Sequence, residues 1–149
     1  MGTDQLQVQV SGIFDHAASS VWGLLGAWDG LAAYAGGVVS CEADGNGAGA
    51  IRHVTLADAT RFAERLVDID AAAMTYSYEF VEAPAGFPIV DYVARVTVAA
   101  VDEDQCRTTW EGFFRSREGA TDAEAVAFVR NAYEANLEGL RSILQTRER

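Results

Sequence analysis

Basic residues are scarce: 11 Lys and Arg stand against 22 Asp and Glu, giving a net charge of −11 over 149 residues. Nucleic acid and anionic membrane surfaces would be repelled by such a chain, so neither is an expected partner. Cysteine is almost missing. Cys41 and Cys106 have no C-x-x-C spacing and make no disulfide framework, so both are expected to be reduced thiols. With 2 prolines and 50% apolar residues, the composition is not that of a disordered chain. No apolar run approaches a membrane span in length. The N-terminus has no basic region leading into an apolar core, so no signal peptide is expected and the chain reads as cytoplasmic. His16 and His53 belong to no cluster at metal-ligand spacing, so no metal is expected. Gly45, Gly47 and Gly49 are no phosphate loop, because no Lys-Ser/Thr follows them. Repeats, linkers and low-complexity stretches are lacking too, so residues 1–149 read as one domain. A chain of this length buries roughly two-thirds of its unfolded surface, which needs no covalent staple.

What is present alternates. Leu6, Val8 and Val10 face one way and Gln7 and Gln9 the other, predicting a half-buried strand over 6–14. Asp15 is the expected N-cap of a short helix over Ala17–Gly26, and Asp29 that of a second short helix through Tyr34, ended by Gly36 and Gly37. Strands are expected at about 38–43, 50–56, 61–70, 73–81, 88–100 and 106–115. Short polar or Gly/Pro-rich links between them imply an antiparallel meander. The last element is a long helix. Thr121-Asp122-Ala123-Glu124 is a capping box. Val126, Val129, Tyr133, Leu137, Leu140 and Leu144 then form one apolar stripe, with Arg130, Glu134, Glu138 and Arg141 opposite. So long a stripe needs a large apolar partner, and the strand run is the only candidate. The helix is therefore expected to lie across the concave face of a curved sheet, in an α+β fold.

Period-two sorting assigns side chains to faces. Arg52 falls with Val54 and Leu56, and Glu64 with Phe62 and Leu66. Met74, Tyr76, Tyr78 and Phe80 share a face, Tyr92 lines up with Val90, Val96 and Val98, and Trp110 with Phe114. The inner face is thus aromatic, with two charged residues on it. Charges on an apolar face are seldom tolerated unpaired, and the simplest resolution is that Arg52 and Glu64 pair with each other. Other arrangements fit the same pattern: Arg52 reaching water at the sheet edge, Glu64 turned outward at a bulge, or a buried ion pair without chemistry. Tyr76, Tyr78, Tyr92, Trp110 and Phe114 are core residues first. Several hydroxyls on one inner face also suggest a cavity with polar handles, to which Tyr133 and Asn136 of the last helix are further candidates.

Ser19-Ser20-Val21-Trp22, Trp28-Asp29, Gly49-Ala50-Ile51-Arg52, Glu64-Arg65-Leu66-Val67-Asp68-Ile69-Asp70 and Tyr76-Ser77-Tyr78, in that order, resemble the START/Bet v 1-like (SRPBCC) superfamily, whose bacterial members include polyketide cyclase/dehydrase-type proteins. The resemblance covers nearly the whole chain. It implies a helix-grip fold: a seven-stranded antiparallel sheet around a long C-terminal helix, two short helices after the first strand, and an internal cavity for hydrophobic ligands. Around these motifs the chain is similar to the lachrymatory-factor synthase branch, where an arginine and a glutamate at the positions of Arg52 and Glu64 act on a small sulfenic acid, and where tyrosines at the positions of Tyr78 and Tyr92 line the pocket. The stretch from Val54 to Phe62 is shorter here, and Arg61-Phe62-Ala63 replaces a tryptophan-containing approach to the glutamate.

The expectation is therefore a cofactor-independent site for acid/base chemistry on a hydrophobic small molecule, of cyclase, dehydratase, isomerase or lyase type, in a monomer or homodimer. Arg52 and Glu64 are the expected catalytic residues. Tyr76, Tyr78, Tyr92, Trp110, Phe114, Tyr133 and Asn136 are the expected substrate-binding ones. The alternative is a non-catalytic carrier or sensor, in which Arg52 grips a ligand carboxylate and Glu64 orients Arg52.

Overall fold

Seven strands form one antiparallel sheet in the computed structural model, which describes residues 4–147. They are β1 (Leu6–Phe14), β2 (Val38–Ala43), β3 (Ile51–Leu56), β4 (Arg61–Asp70), β5 (Thr75–Glu82), β6 (Ile89–Asp102) and β7 (Gln105–Ser116). Their order is β1-β7-β6-β5-β4-β3-β2. The last six make the expected meander, and β1 adds to its far edge by pairing with β7, from Leu6 opposite Phe114 to Phe14 opposite Cys106. The chain must then cross from one edge to the other to begin β2. Helix α1 (Ala18–Leu25) and a single 3-10 turn (Leu31–Ala33) make that crossing. Helix α2 (Asp122–Arg147) packs on β1 and β7. This is the helix-grip arrangement. Among the described residues, no helix is long and apolar enough to cross a membrane.

The alternation holds where hydrogen bonding is regular and shifts where it is not. In β6, Asp91 adopts a positive φ of 55° at a register shift between Val90 and Val93. A short polar side chain tolerates that conformation. The added residue moves Ile89 to the inner face beside Tyr92 in place of the expected Val90, and Ile89 is buried. Met74 likewise sits in the turn before β5 at φ 54°, not in the strand. Ser77, expected to point outward, is nonetheless buried. Its register neighbours are Asp68 and Arg95, which pair at 3.7 Å and flank this small side chain.

Helix ends follow local chemistry unevenly. At α2 the capping box forms. Glu124 N–H donates to Thr121 Oγ1 at 3.1 Å, and Thr121 N–H donates back to Glu124 Oε1 at 3.3 Å. At α1 the expected Asp15 cap does not form. The helix starts after Ala17 with no side-chain cap, and Asp15 accepts a hydrogen bond from Gln105 of β7 at 2.9 Å instead. Asp29 caps nothing either, since the turn starts after Gly30. Arg141 leaves the polar face of α2 to lie over the Phe14 ring at 4.5 Å and donates to the Ile13 carbonyl at 3.1 Å, its stem covering apolar surface.

The 3-10 turn docks on α2 through an absence. A Cβ at Gly139 would collide with the Tyr34 carbonyl, so only glycine lets that backbone reach the helix. Between β5 and β6 the loop 83–88 is held by Arg117, whose guanidinium donates to the carbonyls of Phe87 at 2.7 Å and Pro84 at 2.8 Å. Cys41 and Cys106 are unbridged.

Candidate functional site

Arg52 and Glu64 are direct partners in the β3–β4 register. Facing side chains on antiparallel strands are within reach of each other, and here they meet in the interior, at 2% and 5% exposure. Arg52 therefore does not reach out to water. Glu64 faces inward although the β4–β5 register shifts beside it, between Ala63 and Glu64. Arg52 Nε and Nη2 donate to Glu64 Oε1 at 2.9 and 2.7 Å, and Nη1 donates to the Trp28 carbonyl at 3.2 Å. The guanidinium lies over the Trp28 ring at 3.8 Å and near the Tyr78 ring at 5.1 Å, contacts that favour a cation most when water is excluded. Both charge-assisted bonds end on Oε1. Among the described residues, none is made to Oε2.

Burial pushes the Glu64 carboxyl above its ordinary value, while Arg52 pulls it back. Burial alone would lower the Arg52 guanidinium. The Glu64 carboxylate and surrounding tyrosines outweigh that and hold it above its ordinary value, so it stays charged.

A cavity of about 210 Å³ lies beside the pair. Its polar wall carries Arg52, Glu64, Tyr78, Tyr92, Tyr133 and Asn136. The tyrosine hydroxyls form a chain, with 3.3 Å between Tyr78 and Tyr92 and 2.6 Å between Tyr92 and Tyr133. Gly112 makes room for it, because a Cβ there would collide with the Tyr133 hydroxyl. Burial raises all three hydroxyls above their ordinary value, so they remain neutral donors at physiological pH. The opposite wall is apolar. Phe87 packs on Phe128 at 4.8 Å, Phe62 at 5.5 Å and Phe80 at 6.0 Å between ring centroids. Exposed Gly36, Ala132 and Ala135 also line the space, so it reaches the surface between the segment after the 3-10 turn and α2.

Three of the expected binding residues lie elsewhere. Tyr76, Trp110 and Phe114 are buried but do not line the cavity. Tyr76 is covered by Trp22 and Trp28 at 5.9 and 6.0 Å, and Trp110 packs between Tyr34 and Tyr133. The inner face is longer than the cavity, and α2 and α1 cover the remainder. Conversely, Trp28, which enters the sequence reading only as part of a family motif, and Phe87 reach the site without being expected there. Trp28 lies in a connection with no periodicity. Phe87 sits between Pro84 and Pro88 in a stretch read as a turn, where a large aromatic among turn residues was the available signal.

No curated protein sequence matches the chain. Among solved structures it is similar to an uncharacterised protein from Bacillus thuringiensis, with 23% identity, TM-score 0.84, and 93% of this chain and 98% of that one covered. It is similar to the Zhui aromatase/cyclase from a Streptomyces species, with 18% identity, TM-score 0.81, and coverage of 98% and 97%. It is also similar to truncated norcoclaurine synthase from Thalictrum flavum, with 14% identity, TM-score 0.76, and coverage of 97% and 96%. At these identities the likeness establishes the shared Bet v 1-like fold, and none of these matches singles out the lachrymatory-factor branch. The family model described as polyketide cyclase/dehydrase and lipid transport matches residues 5–145, and the chain belongs to that family.

Proposed function

We propose that the cavity binds a hydrophobic small molecule and moves a proton on it, with Glu64 as general acid/base. The observation that carries this reading is the asymmetry of the Glu64 carboxylate, which lines the cavity: Arg52 holds Oε1 twice, while among the described residues no hydrogen bond is made to Oε2. A buried carboxylate held above its ordinary value by burial is suited to taking and returning a proton. Oε2 would remove a proton from carbon beside a ligand carbonyl, and the C–H electron pair would move to form an enolate. A tyrosine hydroxyl would hold the developing oxyanion. Return of the proton to another carbon gives isomerisation. Its delivery to a departing hydroxyl gives dehydration, and attack of the enolate carbon on a second carbonyl, which then takes the proton, gives aldol cyclisation. Arg52 positions the carboxylate. No lysine occurs in these 149 residues, so no side-chain amine is available for Schiff-base chemistry.

A carrier for a hydrophobic molecule is the second reading, favoured by an ion pair that is complete without any ligand. Proton exchange separates the two. The α-protons of benzylacetone, an enolisable ketone, are followed by NMR in deuterated water, with binding measured by calorimetry. Wild-type protein is expected to accelerate exchange, and Glu64→Gln to lose about 100-fold or more of that acceleration while binding persists. Equal exchange in both proteins favours the carrier.

A further inference from the structure

Three features of the cavity together restrict its occupant. The first is size. An apolar cavity of roughly 150 Å³ takes benzene, so about 210 Å³ encloses one ring with a short chain, and a second ring fused onto these would extend beyond it. The second is charge. Arg52 and Glu64 are the only charged side chains on the wall among the described residues, and they cancel. A charged ligand would bring an unmatched charge into a poorly solvated space. A ligand carboxylate would also find Arg52 already engaged through Nε, Nη1 and Nη2. The third is hydrogen-bond polarity. Tyr78, Tyr92 and Tyr133 carry three hydroxyl hydrogens, while two contacts join them. One hydrogen is left over, and a cavity oxygen acceptor would satisfy it.

We propose that the occupant is a neutral carbonyl compound built on a single ring, its ring among Phe62, Phe80, Phe87 and Phe128 and its oxygen on the tyrosine hydroxyls. This rests on the reading above that the cavity is the ligand site. It narrows that reading to a substrate class and disfavours both multi-ring and carboxylate ligands.

Calorimetry on the wild-type protein at neutral pH tests it with three probes. Benzylacetone is the single-ring ketone, its naphthyl counterpart adds a fused ring, and hydrocinnamate replaces the acetyl group with a carboxylate of similar shape. Benzylacetone is expected to bind at least about ten-fold tighter than either. Equal or tighter binding of the naphthyl ketone or of hydrocinnamate overturns the proposal, as does failure of benzylacetone to bind at millimolar concentration. Phe128→Ala enlarges the apolar end and is expected to narrow the gap between the two ketones, whereas an unchanged gap places the ring elsewhere and contradicts the proposal. Proton exchange read on the same samples keeps the two readings apart. Selectivity without exchange removes catalysis and leaves this substrate class. Exchange without selectivity does the reverse.

Discussion

Arg52 and Glu64 stand opposite each other on β3 and β4, and both hydrogen bonds between them end on the same carboxylate oxygen. A buried pair of this kind is costly to break from one side, because the survivor keeps its charge and loses its partner. Arg52→Met, which strands the carboxylate, is expected to destabilise the fold by about 3–5 kcal/mol, Glu64→Gln by less because the fold already favours an uncharged side chain there, and the double replacement Arg52→Met with Glu64→Gln by less than the sum of the two. Urea denaturation of the four proteins measures this coupling. Additive losses would show that the two charges do not depend on each other.

The pH dependence has a definite sign. The folded Glu64 carboxyl lies above its ordinary 4.5, so folding favours the protonated form. Its contribution to stability is complete below about pH 4.5 and is lost as pH rises through the folded value. Arg52 is also raised, but its contribution is lost only in strong alkali, outside the working range. Stability of the wild type relative to Glu64→Gln is therefore expected to fall between acid and neutral pH. Catalysed proton exchange runs the other way, rising as Glu64 ionises. Paired denaturation and exchange profiles check both signs.

The middle of the hydroxyl chain matters more than its end. Tyr92→Phe removes both hydroxyl contacts, whereas Tyr78→Phe removes one. Leaving a buried polar group without a partner costs about 1–3 kcal/mol, so Tyr92→Phe is expected to lower thermal stability more. Differential scanning calorimetry orders the two variants.

At Gly139, general helix propensity and local packing oppose each other. Glycine to alanine inside a helix is ordinarily stabilising by about 1 kcal/mol. Here the new methyl group meets the Tyr34 carbonyl, and overpacking of this kind costs about 1–3 kcal/mol. Gly139→Ala is expected to lower the melting temperature, while Ser142→Ala, at an exposed position three residues on in the same helix, leaves it nearly unchanged.

Arg117 fixes the apolar end by holding the carbonyls of Phe87 and Pro84. Arg117→Leu is expected to increase amide hydrogen exchange in residues 83–88 and to weaken benzylacetone binding, with exchange in β7 and α2 preserved. Unchanged protection of that loop would show that it is held by packing alone.

Much of this arrangement was legible in the chain because it follows from periodicity. Strict alternation put Arg52 and Glu64 on one face, and the short β3–β4 link made them neighbours. The 3.6-residue stripe and the capping box located α2, with Tyr133 facing the sheet. Period two fails at Asp91, where a left-handed residue shifts the frame and exchanges Val90 for Ile89. It is silent for Trp28 and Phe87, which are brought to the site by connections whose course depends on tertiary contacts. Alternation also cannot say where a cavity ends. Tyr76 and Trp110 face inward as surely as Tyr78 and Tyr92, but neighbouring rings fill the space around them. The unequal use of the Glu64 oxygens depends on side-chain geometry that no spacing encodes.

The free oxygen of Glu64 is the feature on which the proposed chemistry turns, and carboxyl-selective NMR titration of protein labelled with carbon-13 at glutamate observes it directly. The Glu64 resonance, assigned by its loss in Glu64→Gln, is expected to titrate above the ordinary value of 4.5 and to shift when benzylacetone is added. A resonance that titrates at or below that value and ignores the ligand would contradict a proton-transfer role for this carboxylate.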